Sequence, residues 1–168
     1  MVSGVSSTFE AIDVIERQAA VLVRHFELLH RRSDVHDSLD RAGYLLLRTL
    51  DDRGPMDINT LAATLGVDPS TAGRQISAMQ GAGLVLRTPG ETDRRRSVIT
   101  ATQDGLATMT YVRQRRAEDL AELLAGWGED ELRTLGEMFG KYNRAVAARY
   151  LSGQAPSGEQ PVAEPTQS

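Results

Sequence analysis

The chain has 168 residues and a formal net charge of −4, with 40% hydrophobic and 25% charged residues, a composition that supplies one ordinary domain with a packed core and argues against global disorder. Cysteine is absent, which excludes a disulfide framework, a thiolate metal site and a cysteine nucleophile or thiol switch. The longest uninterrupted apolar run is the five residues Ala19 to Val23; no membrane partner is expected, no basic leader precedes an apolar stretch, and a cytoplasmic protein follows as the expectation.

Apolar residues at Phe9, Ile12, Ile15, Ala19, Leu22, Phe26 and Leu29 recur at spacings of three and four, which predicts a helix from about Ser7 to Ser33. Val14, Val21 and Leu28 widen its apolar face, so the helix meets more than one neighbour. A second helix is predicted from near Ser38, turning Leu39, Gly43, Leu46 and Leu50 inward and ending at Gly54-Pro55, since proline cannot donate into a helix and restricts the residue before it. Two short helices follow. Asp57 caps the first, Leu61, Ala62 and Leu65 face inward, and Gly66 suits a left-handed stop. Asp68-Pro69 then restarts a helix with an aspartate cap and proline at its first position. Helix, glycine turn and capped helix make a helix-turn-helix pattern, which ordinary helical hairpins also share.

After Gly81 and Gly83, Leu84 to Thr88 reads as a strand, Pro89-Gly90 as the start of a turn, and Ser97 to Thr100 as a returning strand. The connecting loop carries Asp93-Arg94-Arg95-Arg96. Two strands joined by an arginine-tipped loop directly after a helix-turn-helix predict a winged helix. Residues 103–125 read as a helix with Leu106, Met109, Val112, Leu120 and Leu123 or Leu124 apolar. Gly126-Trp127-Gly128 interrupts it, and Glu129-Asp130-Glu131 places three acids at the positive end of a final helix carrying Leu132, Leu135, Phe139, Tyr142 and Val146. From Ser152 the composition is that of a disordered tail. The fold class is therefore mainly α with a small β-hairpin wing, organised as 1–37, 38–102, 103–151 and 152–168.

Charge is unevenly placed. Of 19 basic residues only Lys141 is lysine, and between Leu84 and Thr100 four arginines face two acids, a local excess of +2 inside an acidic chain. That is compatible with DNA and does not require it. The long helices at the two ends carry more apolar surface than a compact winged helix needs. A subunit interface accounts for it; a monomeric helical cap is the alternative.

The run Gly83-Leu84-Val85, then Asp93-Arg94-Arg95, then Thr102-x-x-Gly105 resembles the MarR family of bacterial winged-helix transcriptional regulators. That family's pattern reads G-L-V, D-x-R-R or D-R-R, an apolar strand, then L-T-x-x-G opening a helix. The order of elements resembles it from about Ser7 to Tyr150. Ala101 departs from the pattern's leucine, and Gly73 is a weak helix former inside the recognition helix. The resemblance implies a homodimer with interlocked terminal helices, two winged helices directed at one face of double-stranded DNA, and a small aromatic or anionic effector bound between dimer helices and winged helix.

Winding the helix after Asp68 at 100° per residue puts Ala72, Ile76, Met79 and Gly83 on the core face. Thr71, Arg74 and Ala78 fall opposite, with Ser70 and Gln75 on the flanks. Arg74 is expected to fork onto a guanine, Gln75 to pair with adenine, and Ser70 and Thr71 to suit a phosphate or a base edge beside the free N–H groups of the helix start. In the wing, Arg94 is expected to enter the minor groove, Arg95 or Arg96 to contact phosphate, and Asp93 to fix the loop by pairing with an arginine. On the helices where the resemblance puts the effector, Arg48 could hold a carboxylate and Tyr44 and Tyr111 could stack on a ring; core packing or plain exposure serves each equally well.

The function expected is a sequence-specific DNA-binding regulator, a repressor released by its effector. A winged helix that binds protein instead is the alternative, favoured by the acidic charge and opposed by the arginine triple. No cofactor is expected, and His25, His30 and His36 lack ligand spacing. An enzyme is the weakest class, for no nucleophile or acid-base constellation is present.

Overall fold

A computed structural model of the chain describes residues 3–32, 39–90 and 97–151, which fall in two units, Met1–Ser38 and Leu39–Ser168. The first unit is one helix, α1 (Ser3–Arg32), starting four residues before the expected Ser7. Every described side chain on it from Ser7 to Leu29 is exposed, Phe9 by 71%. The predicted apolar face is therefore present and uncovered.

In the second unit, α2 (Arg41–Arg53) starts where Asp40 accepts the Gly43 N–H at 2.6 Å, three residues later than the sequence suggested. Leu46, Leu47 and Leu50 are buried on it. Leu47 was not expected inside; it is buried because α2 packs against α3 and α4 as well as against α5 and β3. Gly54 ends the helix at a φ of 80°, returning its N–H to Leu50.

The chain then forms β1 (Met56–Asp57), a strand the sequence reading missed. Met56 pairs with Ile99 and Asp57 with Val98, so the expected two-stranded hairpin is a three-stranded antiparallel sheet in the order β1-β3-β2. Two residues are too short to carry a period-two signal. Asp57 both closes β1 and caps α3 (Ile58–Leu65), accepting the Asn59 and Thr60 N–H groups. Gly66 stops α3 in the left-handed conformation at φ 69°, and Asp68 caps α4 (Pro69–Gly81) with Pro69 at its start.

Ala72, Ile76 and Met79 are buried along α4 as the helical spacing requires. Gly83 is a correction. Instead of continuing that face, it lies beyond the helix end, exposed, at φ 75°, and the Leu84 N–H returns to Met79 at 2.9 Å. A side chain would be strained at that φ, so the glycine marks a turn rather than a helix surface.

Strands β2 (Val85–Pro89) and β3 (Ser97–Ala101) pair from Val85↔Ala101 to Pro89↔Ser97. Val85 and Ile99 seal the sheet against the helices and are fully buried. Thr102 caps α5 (Gln103–Leu123), whose Gly105, Met109 and Val112 are buried. Leu106 and Leu124 are half-buried, while Leu120 and Leu123 are exposed where the distal half of α5 extends past the core. The final helix, α6 (Glu129–Tyr150), opens with the Glu131 carboxylate accepting the Gly128 N–H at 2.7 Å and has no buried residue.

Candidate nucleic-acid interface

Helices α3 and α4 pack on each other, and Leu61 and Ala62 on the one and Ala72 and Ile76 on the other are buried. This packing turns the other side of α4 to solvent. Arg74 and Ala78, placed opposite the core by the helical wheel, are exposed there, as are Ser70 and Ser77, while Thr71 is half-buried. The first turn of α4 is strongly ordered by Asp68. Its carboxylate accepts the Thr71 N–H at 2.9 Å, the Thr71 hydroxyl at 2.6 Å and the Ser70 hydroxyl. These donors, the Ser70 and Thr71 hydroxyls foremost, hold the Asp68 carboxyl well below the usual carboxylate range. One turn on, Arg74 donates from Nη2 to Thr71 Oγ1 at 3.0 Å.

Gln75 sits differently from its neighbours. It is half-buried, and its Nε2 is buried with no hydrogen-bond partner among the described residues. A buried donor left unmet costs free energy that an outward turn onto an acceptor would recover.

Asp93, Arg94, Arg95 and Arg96 lie outside the described residues. The ladder that flanks them closes at Pro89↔Ser97, and on β2 Arg87, Thr88 and Pro89 are exposed. The sheet thus delivers a solvent-facing β-ribbon immediately after the helix-turn-helix.

The residues expected near an effector lie on α2 and α5, two helices that pack on each other. Tyr44 and Arg48 lie one turn apart on α2, both half-buried, and Arg48 is engaged by Asp52 at 3.3 Å. Tyr111, on α5, is 57% exposed. Sequence reasoning missed Arg116, whose guanidinium lies 4.6 Å over the Tyr44 ring where α5 packs on α2. Burial lowers the pKa of Arg116, with Tyr44 opposing and Arg41 adding to the shift; it stays protonated at any physiological pH. The signal available was the basic cluster Arg113, Arg115 and Arg116 on a helix already predicted. Among the described residues no group of three or more histidine or acidic side chains could hold a metal ion, and no helix is long and apolar enough to cross a membrane.

The sequence model of the MarR family matches residues 39–97, the span from the start of α2 into β3. The chain is 31% identical to the uncharacterized HTH-type transcriptional regulator YxaD of Bacillus subtilis (strain 168) over 134 residues, 80% of this chain and 94% of that one. Its fold is similar to that of a MarR protein from Peptoclostridium difficile, with a TM-score of 0.66 at 17% identity, covering 82% of this chain and 90% of the other. It is also similar to the PcaV transcriptional regulator from Streptomyces coelicolor, solved in complex with its natural ligand, with a TM-score of 0.59 at 23% identity over 74% and 91% of the two chains. The capped helix-turn-helix, the β-ribbon after it and a relative matched along nearly its whole length make the chain a member of the MarR family of winged-helix, DNA-binding transcriptional regulators, and not an enzyme.

Proposed function

We propose that the chain acts as a homodimer that binds a pseudo-palindromic DNA site and represses transcription until a small aromatic or anionic molecule releases it. The observation that carries this reading is the exposed face of α4, where Ser70, Thr71 and Arg74 line the side opposite the buried Ala72, Ile76 and Met79. A helix of thirteen residues fits the major groove, where arginine forks onto guanine O6 and N7. Gln75 pairs with adenine by turning its unmet amide outward. Arg94 enters the minor groove, Arg95 or Arg96 holds phosphate, and Asp93 steadies the loop between β2 and β3.

Dimerisation falls to residues 1–37 and 103–151, whose helices carry the uncovered apolar faces; residues 38–102 read the DNA. The effector reading is supported by PcaV having been solved with its natural ligand and by the Tyr44–Arg116 stack, a ring and a cation within 4.6 Å. A planar carboxylate can pair with Arg116 while its ring packs on Tyr44 or Tyr111, and Arg48 joins by leaving Asp52.

Selection from a randomised duplex library tests the reading. The full-length chain should enrich an inverted repeat with half-site centres about 10 bp apart, and affinity should fall steeply with salt, at roughly 0.9 in log–log slope per phosphate neutralised. Enrichment of no sequence at moderate salt would defeat it and leave a winged helix that binds protein. Retention of the selected duplex should weaken when aromatic acids that raise the melting temperature are added.

A further inference from the structure

Asp68, Thr71 and Arg74 form a hydrogen-bonded line along the first two turns of α4, and the charge of its first member fixes the direction of every bond. Asp68 accepts from Thr71 twice, from the N–H at 2.9 Å and from the hydroxyl at 2.6 Å. Its carboxyl is held ionised far into the acid range by the Ser70 and Thr71 donors, so it has no proton to give. The Thr71 hydroxyl must therefore aim its hydrogen at Asp68, which leaves only lone pairs on Oγ1. One of these receives Arg74 Nη2–H at 3.0 Å.

Two consequences follow. The Thr71 N–H and both hydroxyls, expected to be free for a phosphate, are already committed to Asp68, and the aspartate charge repels an anion approaching this helix end. Arg74, a long side chain with many rotamers, is instead tethered before any partner arrives, with the rest of its planar fork still available. A pre-oriented fork loses less freedom on forming a bidentate bond than a freely rotating one.

We infer that Thr71, itself oriented by Asp68, is a positioning residue that holds the Arg74 guanidinium in its base-reading direction and so sharpens sequence discrimination rather than gripping the DNA backbone. The inference rests on the proposed reading that Arg74 contacts a base pair, and the experiment separates the two.

Binding preferences of the full-length chain and its variants are measured on duplexes taken from the library selection, each carrying a single base-pair change, with thermal unfolding followed in parallel. Arg74→Ala should flatten preference at one base pair of each half-site by about tenfold. Thr71→Val, which keeps the branched shape and the capped N–H, should flatten the same base pair by at least about threefold and add nothing in the Arg74→Ala background. Thr71→Ser should restore it. Asp68→Asn, still an N-cap, should flatten that base pair while tightening binding to every duplex, and it carries the same conclusion if Thr71→Val does not fold. The inference is overturned if Thr71→Val weakens all duplexes alike with a shallower salt dependence, the mark of a phosphate contact, or if its effect multiplies with that of Arg74→Ala. A flat response to Arg74→Ala would remove base reading by Arg74 itself, and the inference with it.

Discussion

Glycine positions that look alike in the sequence have opposite roles once the neighbours are known. A Cβ on Gly105 would lie 2.1 Å from the Leu84 carbonyl oxygen and 3.1 Å from a Leu47 methyl group. Neither the backbone nor a fully buried leucine can yield, so Gly105→Ala should destabilise the protein by about 3 kcal/mol, read as a fall in urea midpoint or melting temperature. Gly73 is helical and a Cβ there meets nothing within 4 Å; Gly73→Ala should stabilise by about 0.5–1 kcal/mol in the same measurement. The family pattern pointed to Gly105 as significant but could not say why, since the carbonyl it accommodates comes from a residue 21 positions earlier in the chain. Tyr44 is a similar case. Its place on α2 was legible from helical spacing, whereas the cation on its ring comes from α5 and depends on how two helices pack.

At the scale of elements, the legible features were those set by local chemistry. Asp57 and Asp68 as caps, Gly66 as a left-handed stop and Pro69 as a helix opener follow from neighbouring residues, and the structure has all four. What escaped was non-local: β1, made by pairing with β3, and the second packed side of α2 that buries Leu47. Thr102 joins the two kinds. Its Oγ1 accepts the Gly105 N–H at 2.9 Å and donates to the Gly83 carbonyl at 2.7 Å, while its own N–H bonds the Leu84 carbonyl at 3.0 Å. The Gly-Leu and Thr-x-x-Gly halves of the sequence pattern are thus one clasp between the turn after α4 and the start of α5. Thr102→Val should cost about 1–2 kcal/mol by chemical denaturation, above the loss from an exposed threonine elsewhere. The Asp68 cap gives a pH signature. Its folded pKa is depressed, so its stabilising contribution is complete above the unfolded carboxylate value, near 3.9, and is lost as pH falls toward the folded one. Asp68→Asn should therefore leave a shallower acid limb below about pH 4 in a stability–pH profile and no change in slope near neutrality.

For the whole molecule, the decisive quantity is apolar surface left in water. On α6, Leu132, Phe139 and Val146 follow one another at intervals of seven, along one helix face, and are 37–40% exposed, while α1 leaves Phe9, Ile12, Ile15, Phe26 and Leu29 uncovered. Trp127 lines an open groove with Leu135 and Met138 at the start of α6. Full burial of one large apolar side chain contributes about 1.5–3 kcal/mol, so several together offset the entropy of association that a second copy of the chain must overcome. The proposed dimer then links two recognition helices, and the second binding event becomes intramolecular. Phe139→Asp with Val146→Asp puts two carboxylates on that face without touching the buried residues of the winged helix. Sedimentation velocity should show the wild-type chain as a dimer at micromolar concentration and the double variant as a monomer with unchanged helical circular dichroism. Affinity for a full inverted repeat should fall by about a hundredfold or more, because avidity is lost, whereas affinity for an isolated half-site should change little. If the double variant stays dimeric, the α6 face is not the contact; if it becomes monomeric and still binds the repeat as tightly, reading one half-site suffices and the symmetric operator is not needed.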